Sequence, residues 1–411
     1  MPAAVSAARA GARVILIEED PAIGGAPVDM FVTFLCGGPR VGIFNELIQS
    51  LNATEDIDGA AHKNFTGSGQ HWYLPSSFAR VLATLVRREL NITLVTGARV
   101  SGAIVKSDGQ RDRLLGVEVD TGNGAAPAAF MAPVTIDATG TGSLSELAGA
   151  KVMFGREAKT DFGERFGRAI ADSKVMPCTL MLTLQRLRPG AKPLDETNLQ
   201  YAGKLEANVG WIKMEKNRPL FLQRNTGTYL QWGASVLCDT RDPMELGRAY
   251  RVAMGMIEDD VAKLLEQGFG VNFAPKIGVR ECRRVTGEHI LTLQDLKSGK
   301  MPDDVLATGV YPLDLWDINE KLTEADKQLP PYGLPYRSGI AKGFEGLLLA
   351  GKHISGTHLA MGAYRVQPIV AAFGQGIGAA AAMAAKLKTG VRDVDLKTLQ
   401  SKLRSAGSLT V

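Results

Sequence analysis

Cysteine is scarce in this sequence, and its spacing excludes several kinds of site. The 411 residues include four cysteines, and no two of them form a CxxC pair. A metal or iron–sulfur site built from neighbouring cysteines is therefore not predicted, and neither is a framework of disulfides. A few scattered cysteines are typical of proteins from reducing compartments, so we predict a cytoplasmic location.

Neither charge nor hydrophobicity is concentrated in one part of the chain. The formal net charge is only +4, and no basic tract is longer than two arginines, so nucleic-acid binding is not predicted. No apolar run approaches the ~20 residues of a membrane span. The apolar share of 45% is ordinary for a globular protein, and 411 residues are enough for two or three domains.

Glycine is absent before Gly11, although the first segment has the pattern of a nucleotide-binding unit. Residues 2–10 are rich in alanine and predict a helix, which Gly11 would end. Val14–Ile17 predicts a buried parallel strand, and Glu18 follows it directly. In βαβ dinucleotide sites such an acid binds ribose about 20 residues after a glycine fingerprint. This spacing predicts that the first strand and its glycine loop are missing; the alternative is an ordinary strand that ends at Glu18.

Helical periodicity and β-branched composition predict the other elements. The predicted helices cover residues 44–51, 75–90, 143–148, 245–267 and 368–387. The predicted strands cover residues 92–95, 100–106, 114–120, 134–137, 179–187, 229–237 and 347–350. Residues 52–72 are predicted as a loop, and the prolines of 330–336 predict an extended linker. Because βα elements open and close the chain, we predict one nucleotide-binding domain with a substrate domain inserted into it.

Three motifs place a glycine after a predicted strand, where the main chain can approach a ligand closely. Gly24 and Gly25 follow Glu18, Gly140 ends the run Asp-Ala-Thr-Gly, and Gly351 lies in the run Leu-Ala-Gly-Lys-His-Ile-Ser. In this order the motifs resemble the FAD-dependent oxidoreductases of the glutathione-reductase-like two-domain superfamily.

The resemblance implies an α/β fold with a Rossmann-like FAD-binding domain and an inserted α+β substrate domain. The FAD-binding domain would consist of residues 1–154 and 341–390, the substrate domain of residues 155–340, and a tail of residues 391–411. The implied function is an enzyme that transfers hydride or electrons between a small organic substrate and FAD. The electron acceptor is not indicated, and a homo-oligomer is compatible with the sequence.

The resemblance also implies which residues form the site. The implied cofactor-binding residues are Glu18, Gly24, Gly25, Val100, Ala138, Thr139, Gly140, Gly351, Gly374, Gln375 and Gly376. His358 is the first candidate for catalysis, because it falls in the flavin-facing segment and histidine titrates near neutral pH. Arg365 and Arg280 are candidates for binding negative charge. Lys352 stands where the wider superfamily carries an acid after the glycine.

The sequence leaves some alternatives open. The three arginines between Arg280 and Arg284 fit a clamp for a carboxylate or the flavin, and they fit an interdomain salt-bridge network equally well. A flavin-free NAD(P)-dependent dehydrogenase is a second function, but it does not explain the glycine-rich C-terminal helix. A third is a non-catalytic remnant that does not hold FAD, which the missing glycine loop would favour.

Overall fold

Helices and small β-sheets alternate along the chain in an α/β arrangement. The computed structural model describes residues 1–56, 72–107, 109–122, 124–194, 212–213, 220–223, 226–316 and 322–411. The predicted α/β class is confirmed, whereas the glutathione-reductase-like subtype and the missing first strand stay predictions. The predicted loop at 52–72 lies largely outside the described residues, as do His62 and His71.

The elements follow the predicted order closely. Within the described residues, the helices are α1 (Pro2–Arg9), α2 (Ala26–Asp29), α3 (Gly42–Glu55), α4 (Pro75–Arg87), α5 (Ser143–Leu147), α6 (Lys159–Phe162), α7 (Pro243–Gly255), α8 (Glu258–Glu266), α9 (Leu293–Ser298), α10 (Glu324–Lys327), α11 (His358–Tyr364), α12 (Gln367–Leu387) and α13 (Leu396–Ser405). The strands are β1 (Val14–Ile17), β2 (Ile92–Val95), β3 (Arg99–Ser107), β4 (Asp112–Asp120), β5 (Ala128–Met131), β6 (Thr135–Asp137), β7 (Val152–Met153), β8 (Cys178–Arg186), β9 (Ile212–Lys213), β10 (Leu220–Gln223), β11 (Thr228–Val236), β12 (Phe269–Phe273), β13 (Arg284–Val285), β14 (Val305–Gly309), β15 (Tyr332–Pro335), β16 (Phe344–Glu345) and β17 (Leu347–Leu349).

Parallel pairing brings distant parts of the sequence together. β1 pairs with β2, and β17 pairs with β6 so that Leu348 lies opposite Ile136. Parallel strands need long crossover connections, and here about half of the chain lies between β6 and β17. The carboxyl ends of β6 and β17 therefore lie side by side. The predicted glycine turns at Gly140 and Gly351 follow these two strand ends.

Antiparallel sheets flank this parallel region. β3, β4 and β5 form one sheet, to which β16 adds a parallel strand. β8 lies between β11 and β12 in another sheet, and α7 and α8 cover it with a separate core of their own. Residues such as Leu306 and Tyr332 belong instead to the main core around α12. The domain boundaries at 154, 340 and 390 stay predictions.

Two elements differ from the sequence-based expectation. The single helix predicted at 245–267 is two helices, because the chain leaves helical geometry at Ile257, whose φ and ψ are −117° and 8°. Ile257 is buried in the separate core that α7 and α8 form on the β8 sheet, so tertiary packing outweighs helical propensity there. The linker predicted at 330–336 contains β15, which is fully buried and pairs with β14, while Pro330 and Pro331 precede the strand and Pro335 ends it.

Helix α12 is the central helix of the main core. Its 21 residues include an 18-residue window with a mean hydropathy of 1.4, so the helix is long and apolar enough to cross a membrane by length and composition. The protein itself buries 83% of that apolar window, as expected for a core helix. The glycines of α12 allow close contact with α1, since a Cβ at Gly378 would lie 2.1 Å from the carbonyl oxygen of Ala3.

Alanine substitutions at two glycines of α12 are expected to have opposite effects. A Cβ at Gly374 would meet its nearest neighbours at 3.9 Å, an ordinary contact distance, whereas Gly378 is blocked by backbone. Gly374→Ala should raise the free energy of unfolding by up to about 1 kcal/mol through helix propensity. Gly378→Ala should lower it by about 1–3 kcal/mol through overpacking. Urea unfolding of both variants tests this, and equal effects would contradict the described α1–α12 packing.

Candidate functional site

Two glycine turns meet at the carboxyl ends of β6 and β17. Gly140 has φ of +71° and Gly351 has φ of +147°, both in the region that favours glycine. A Cβ at Gly351 would lie 3.0 Å from the His353 ring and 3.8 Å from the Cα of Gly140. Lys352 links the turns, because its Nζ donates to the Gly140 carbonyl oxygen at 2.6 Å. The motifs that predict cofactor contacts are therefore adjacent in space.

Asp137 fixes the shape of the first turn. Its Oδ1 accepts hydrogen bonds from the backbone N–H and hydroxyl of Thr139, at 3.0 and 2.7 Å. Its Oδ2 accepts from the backbone N–H and hydroxyl of Ser145, at 2.9 and 2.7 Å. Burial alone would raise the pKa of Asp137, but His353 and these donors outweigh it and hold the pKa well below its usual value. Ala138, Thr139 and Gly140 are thus held around a buried carboxylate.

Lys352 follows Gly351 and places a lysine side chain in the second glycine turn. Burial lowers its pKa from the ordinary lysine value, and the nearby Arg365 lowers it further, while the thiols of Cys282 and Cys178 oppose this shift. Arg365, Cys178 in β8 and Cys282 just before β13 thus all influence the pKa of Lys352.

Glu18 and the double glycine lie at the end of β1. The backbone N–H of Glu18 donates to Val95, and its carbonyl oxygen accepts from the N–H of Ala98. Glu18 is thus held beside the start of β3, which contains Val100. Burial raises the pKa of Glu18 above its usual value, and the N–H of Asp20 opposes this by donating to its Oε1 at 3.3 Å.

The double glycine forms the entrance to α2. Gly24 has φ of +154°, and a Cβ there would lie 2.1 Å from the Val28 side chain. The carbonyl oxygen of Gly25 accepts from the N–H groups of Val28 and Asp29. Glycine is required at position 24 by this close approach, whatever ligand binds nearby. Val100 is half-buried and lies opposite Val119 in the β3–β4 sheet.

Gly374, Gln375 and Gly376 lie inside α12 and away from its N-terminus. A Cβ at Gly374 would lie 3.9 Å from Ala350, so this residue faces the second glycine turn. The Oε1 of Gln375 accepts from the Ile43 N–H at 2.9 Å, and a Cβ at Gly376 would meet Leu306 at 3.0 Å. These contacts give Gln375 and Gly376 a packing role, and their cofactor role stays a prediction.

His358 belongs to a buried network of charges. Its Nδ1 lies 2.8 Å from Oε2 of Glu281, and its backbone N–H donates to Glu157 at 2.9 Å. Arg284 bridges the two glutamates: it pairs with Glu281 through Nη1 and with Glu157 through Nη2 at 2.6 Å. The side chains of Glu281 and Arg284 are 0% exposed. Arg284 thus forms a salt-bridge network, although both of its partners lie within the predicted substrate domain.

The second ring nitrogen of His358 is the unusual feature of this network. His358 is buried, and its Nε2 has no hydrogen-bond partner within the described part of the chain. Burial lowers the pKa of His358, but the Glu281 carboxylate outweighs burial, and the pKa is raised above its usual value. The network therefore favours an imidazolium with one N–H bound to Glu281 and the other available.

The pKa shifts of this pair predict how stability depends on pH. The pKa of His358 is raised from 6.5, and that of Glu281 is lowered from 4.5 because His358 and Arg284 outweigh its burial. A raised folded-state pKa gives stability that is present below pH 6.5 and lost as pH rises through the folded pKa. A lowered folded-state pKa gives stability that is present above pH 4.5 and lost as pH falls through the folded pKa.

The contribution of the pair should therefore be greatest between pH 4.5 and 6.5. Urea unfolding from below pH 4.5 to above pH 6.5 measures it. His358→Gln should remove the decline on the alkaline side, and it should also weaken the decline on the acid side, because His358 helps to lower the pKa of Glu281. A decline of the same size in the variant would assign it to other groups.

Arg365 and Arg280 lie in a second cluster, with aromatic side chains between them. Nη2 of Arg365 pairs with Oδ2 of Asp314 at 2.8 Å, and Trp316 donates to the same oxygen at 3.2 Å. The Arg280 guanidinium lies 3.9 Å from the centre of the Trp316 ring. Tyr311 also donates to Asp314, at 3.0 Å. Asp314 and Trp316 carry no motif, so sequence reasoning missed them.

The residues of the two glycine turns fit a bound dinucleotide. Gly140 and Gly351 place backbone without a Cβ on neighbouring turns, and a Cβ at Gly351 would lie 3.0 Å from the His353 ring. Lys352 lies between these turns and would supply positive charge to a bound phosphate group. Glu18 ends the strand from which such folds bind a ribose. These residues therefore fit an FAD site, and their roles in it stay predictions.

Solved structures of low identity align with most of the chain. A geranylgeranyl bacteriochlorophyll reductase-like protein from Thermoplasma acidophilum is 12% identical, with a TM-score of 0.43 over 99% of this chain and 81% of that one. The p-nitrophenol 4-monooxygenase of Pseudomonas putida is 10% identical, with a TM-score of 0.41 over 99% and 78%. A probable FAD-dependent monooxygenase from Pseudomonas aeruginosa is 11% identical, with a TM-score of 0.38 over 99% and 89%. No curated protein sequence matches the chain.

A family match covers almost the whole sequence. Residues 1–403 match the family described as FAD dependent oxidoreductase. This match includes the glycine turns, the His358 network and the cluster around Arg365. It confirms the resemblance to FAD-dependent oxidoreductases, while the glutathione-reductase-like subtype stays a prediction. The chain belongs to the FAD dependent oxidoreductase family, and its cofactor is FAD.

Proposed function

We propose that this oxidoreductase transfers a hydride between a small organic substrate and FAD, with His358 exchanging the accompanying proton. The observation that carries the proposal is the buried His358–Glu281 pair. Nε2 of His358 has no hydrogen-bond partner in the described residues. A buried polar atom without a partner costs free energy, so its retention points to a ligand group that it meets. Bound FAD supplies the redox chemistry, and the protein supplies position, charge and protons.

The FAD-binding residues are assigned by their place in the fold. Glu18 is proposed to bind ribose hydroxyls, with Gly24, Gly25 and Val100 beside the same end of the ligand. Ala138, Thr139, Gly140 and Gly351 would let the main chain approach the phosphates, with Lys352 adding charge. These residues belong to the proposed FAD-binding domain of residues 1–154 and 341–390. Residues 155–340 would then supply the substrate side.

Glu281 acts as a positioning residue in this proposal. It binds Nδ1 of His358, fixes the orientation of the ring and favours the protonated form. The proton that is exchanged therefore sits on Nε2. Loss of this proton as pH rises through the raised pKa of His358 would remove the donor, so the step should slow on the alkaline side.

Arg365 and Arg280 are proposed to bind negative charge on the substrate or the flavin. Asp314 holds Arg365 in place, and Trp316 holds Arg280 by stacking against its guanidinium. Arginines fixed in this way bind a carboxylate with little loss of side-chain freedom. The aromatic surface between them favours a substrate with a flat, apolar body and an anionic group.

The visible absorption spectrum of the purified protein is the first test. Flavin bands, and release of FAD on denaturation, should show that the chain retains its cofactor. Absence of flavin after purification and after incubation with FAD would favour the non-catalytic remnant.

The kind of reaction is tested under anaerobic conditions with a panel of small aromatic and aliphatic amines, alcohols and hydroxy acids. Bleaching of the flavin by one of these compounds alone supports hydride transfer from the substrate. Bleaching only by NAD(P)H, followed by incorporation of oxygen into a substrate in air, would replace this proposal with monooxygenation. Turnover of NAD(P)H by flavin-free protein would favour the dehydrogenase alternative.

A further inference from the structure

Two cysteines that are distant in sequence lie together at one end of the β8–β11 sheet. Cys178 begins β8 and pairs with Val236, and Cys238 lies two residues beyond Val236. The Sγ atoms of Cys178 and Cys238 are 3.8 Å apart. A disulfide bond needs about 2 Å between the sulfurs, so a closure of roughly 2 Å would join them. Both cysteines are free thiols in this structure.

We propose that Cys178 and Cys238 form a redox-active dithiol, which a peroxide converts to a disulfide. The Cys238 thiolate attacks one oxygen of hydrogen peroxide, which breaks the O–O bond and gives a sulfenic acid and, after protonation, water. The Cys178 sulfur then attacks that sulfenic acid, forms the S–S bond and releases a second water. The two thiols lose two electrons and two protons in total, and the peroxide is reduced to two molecules of water.

The surroundings of the two sulfurs divide these roles between them. Cys238 is half-buried and follows the end of β11, whereas Cys178 is 0% exposed. The hydrogen bond from the Cys178 thiol lowers the pKa of Cys238, although burial opposes this. The same hydrogen bond raises the pKa of Cys178 well above its usual value, and burial adds to the effect. Cys238 is thus the accessible nucleophile, and Cys178 is the resolving thiol.

The position of Cys178 connects this dithiol to the second cluster. Its neighbours Pro177 and Thr179 both accept hydrogen bonds from Nη1 of Arg280, at 2.7 and 2.6 Å. Arg280 in turn stacks on Trp316. Closure of the disulfide would draw the first residue of β8 toward Cys238 and displace the atoms that hold Arg280. Oxidation should therefore change the environment of Trp316, which tryptophan fluorescence reports.

Thiol counting and peptide mapping of the full-length protein test the proposal. The reduced protein is treated with one equivalent of hydrogen peroxide, blocked with N-ethylmaleimide and digested. We expect the loss of two of the four thiols and a peptide pair linked through Cys178 and Cys238. Cys178→Ser should stop at the sulfenic acid, which dimedone traps on Cys238, and Cys36→Ser should behave as the wild type.

Cys36 is the matched control because it is a half-buried thiol with no cysteine partner among the described residues, and burial raises its pKa to about 11. A link between Cys178 and Cys282, or four free thiols after treatment, would overturn the proposal. The readout is a covalent bond and does not involve FAD or a substrate, so the outcome does not depend on the proposed function. The wild-type map decides the question even where a variant fails to fold.

Discussion

His358→Gln is expected to slow reduction of the flavin by substrate by about 10²–10⁴-fold, the usual contribution of a positioned acid or base. Glutamine can still donate to Glu281, which lies 2.8 Å from Nδ1 in the native protein, so the buried charges keep a partner. It cannot carry a proton between Nε2 and a ligand. Anaerobic stopped-flow absorbance, with the substrate identified in the panel, measures the rate of flavin bleaching.

The control for this experiment is His289→Gln. His289 also pairs with an acid, since its Nε2 lies 3.3 Å from Asp295, but its side chain is 33% exposed and belongs to no buried network. Its replacement should leave the bleaching rate within a few-fold of the native value. Equal rates for the native protein and His358→Gln would remove His358 from the reaction. A loss that the two histidine variants share would point to a general effect on folding.

Glu281→Ala is expected to lower the free energy of unfolding by about 3–5 kcal/mol, because it leaves buried charge without a partner. Arg284 has a fully buried side chain and pairs with Glu281, and His358 loses the carboxylate that favours its charge. Met176 also loses the acceptor of its backbone N–H, which donates to Glu281 at 2.9 Å. Urea unfolding at pH 6 measures the loss.

Glu324→Ala is the matched control, because Glu324 pairs with Lys327 at 2.7 Å on a side chain that is 83% exposed. Exposed pairs of this kind contribute roughly 0–1 kcal/mol, so this variant should unfold almost as the native protein does. Glu281→Gln should fall between the two alanine variants, since the amide retains part of the hydrogen bonding. Equal losses for Glu281→Ala and Glu324→Ala would show that burial adds nothing to the Glu281 network.

Local patterns in the sequence predicted the parts of the fold that depend on local interactions. The apolar run Val14–Ile17 and the amphipathic segment that starts at Pro75 are a strand and a helix in the structure. The strand at Tyr332–Pro335 was missed, because its burial depends on pairing with β14 and two prolines precede it. Similarly, the interruption of the predicted helix at Ile257 depends on packing in the separate core of α7, α8 and the β8 sheet. Such features follow from tertiary contacts that no short window contains.

The candidate site divides in the same way. Gly140 and Gly351 could be predicted because a glycine after a buried strand is a local signal, and the structure places them side by side. Glu281 was visible only as one acid among arginines, and its contact with His358 spans 77 positions. Asp314 and Trp316 had no signal, since their role follows from Arg365 and Arg280 on other elements. Contacts between residues that are far apart in the sequence could therefore not be predicted from it.

The packing of α1 on α12 has a consequence for folding during synthesis. Ser6 donates to the carbonyl oxygen of Gln375, a contact that joins residues 369 positions apart. At 5–20 residues per second, a ribosome needs about 20–70 s to make the chain between them. The apolar face of α1 leaves the ribosome without its partner for all of that time. The nascent chain should therefore need a chaperone to cover α1 until α12 emerges.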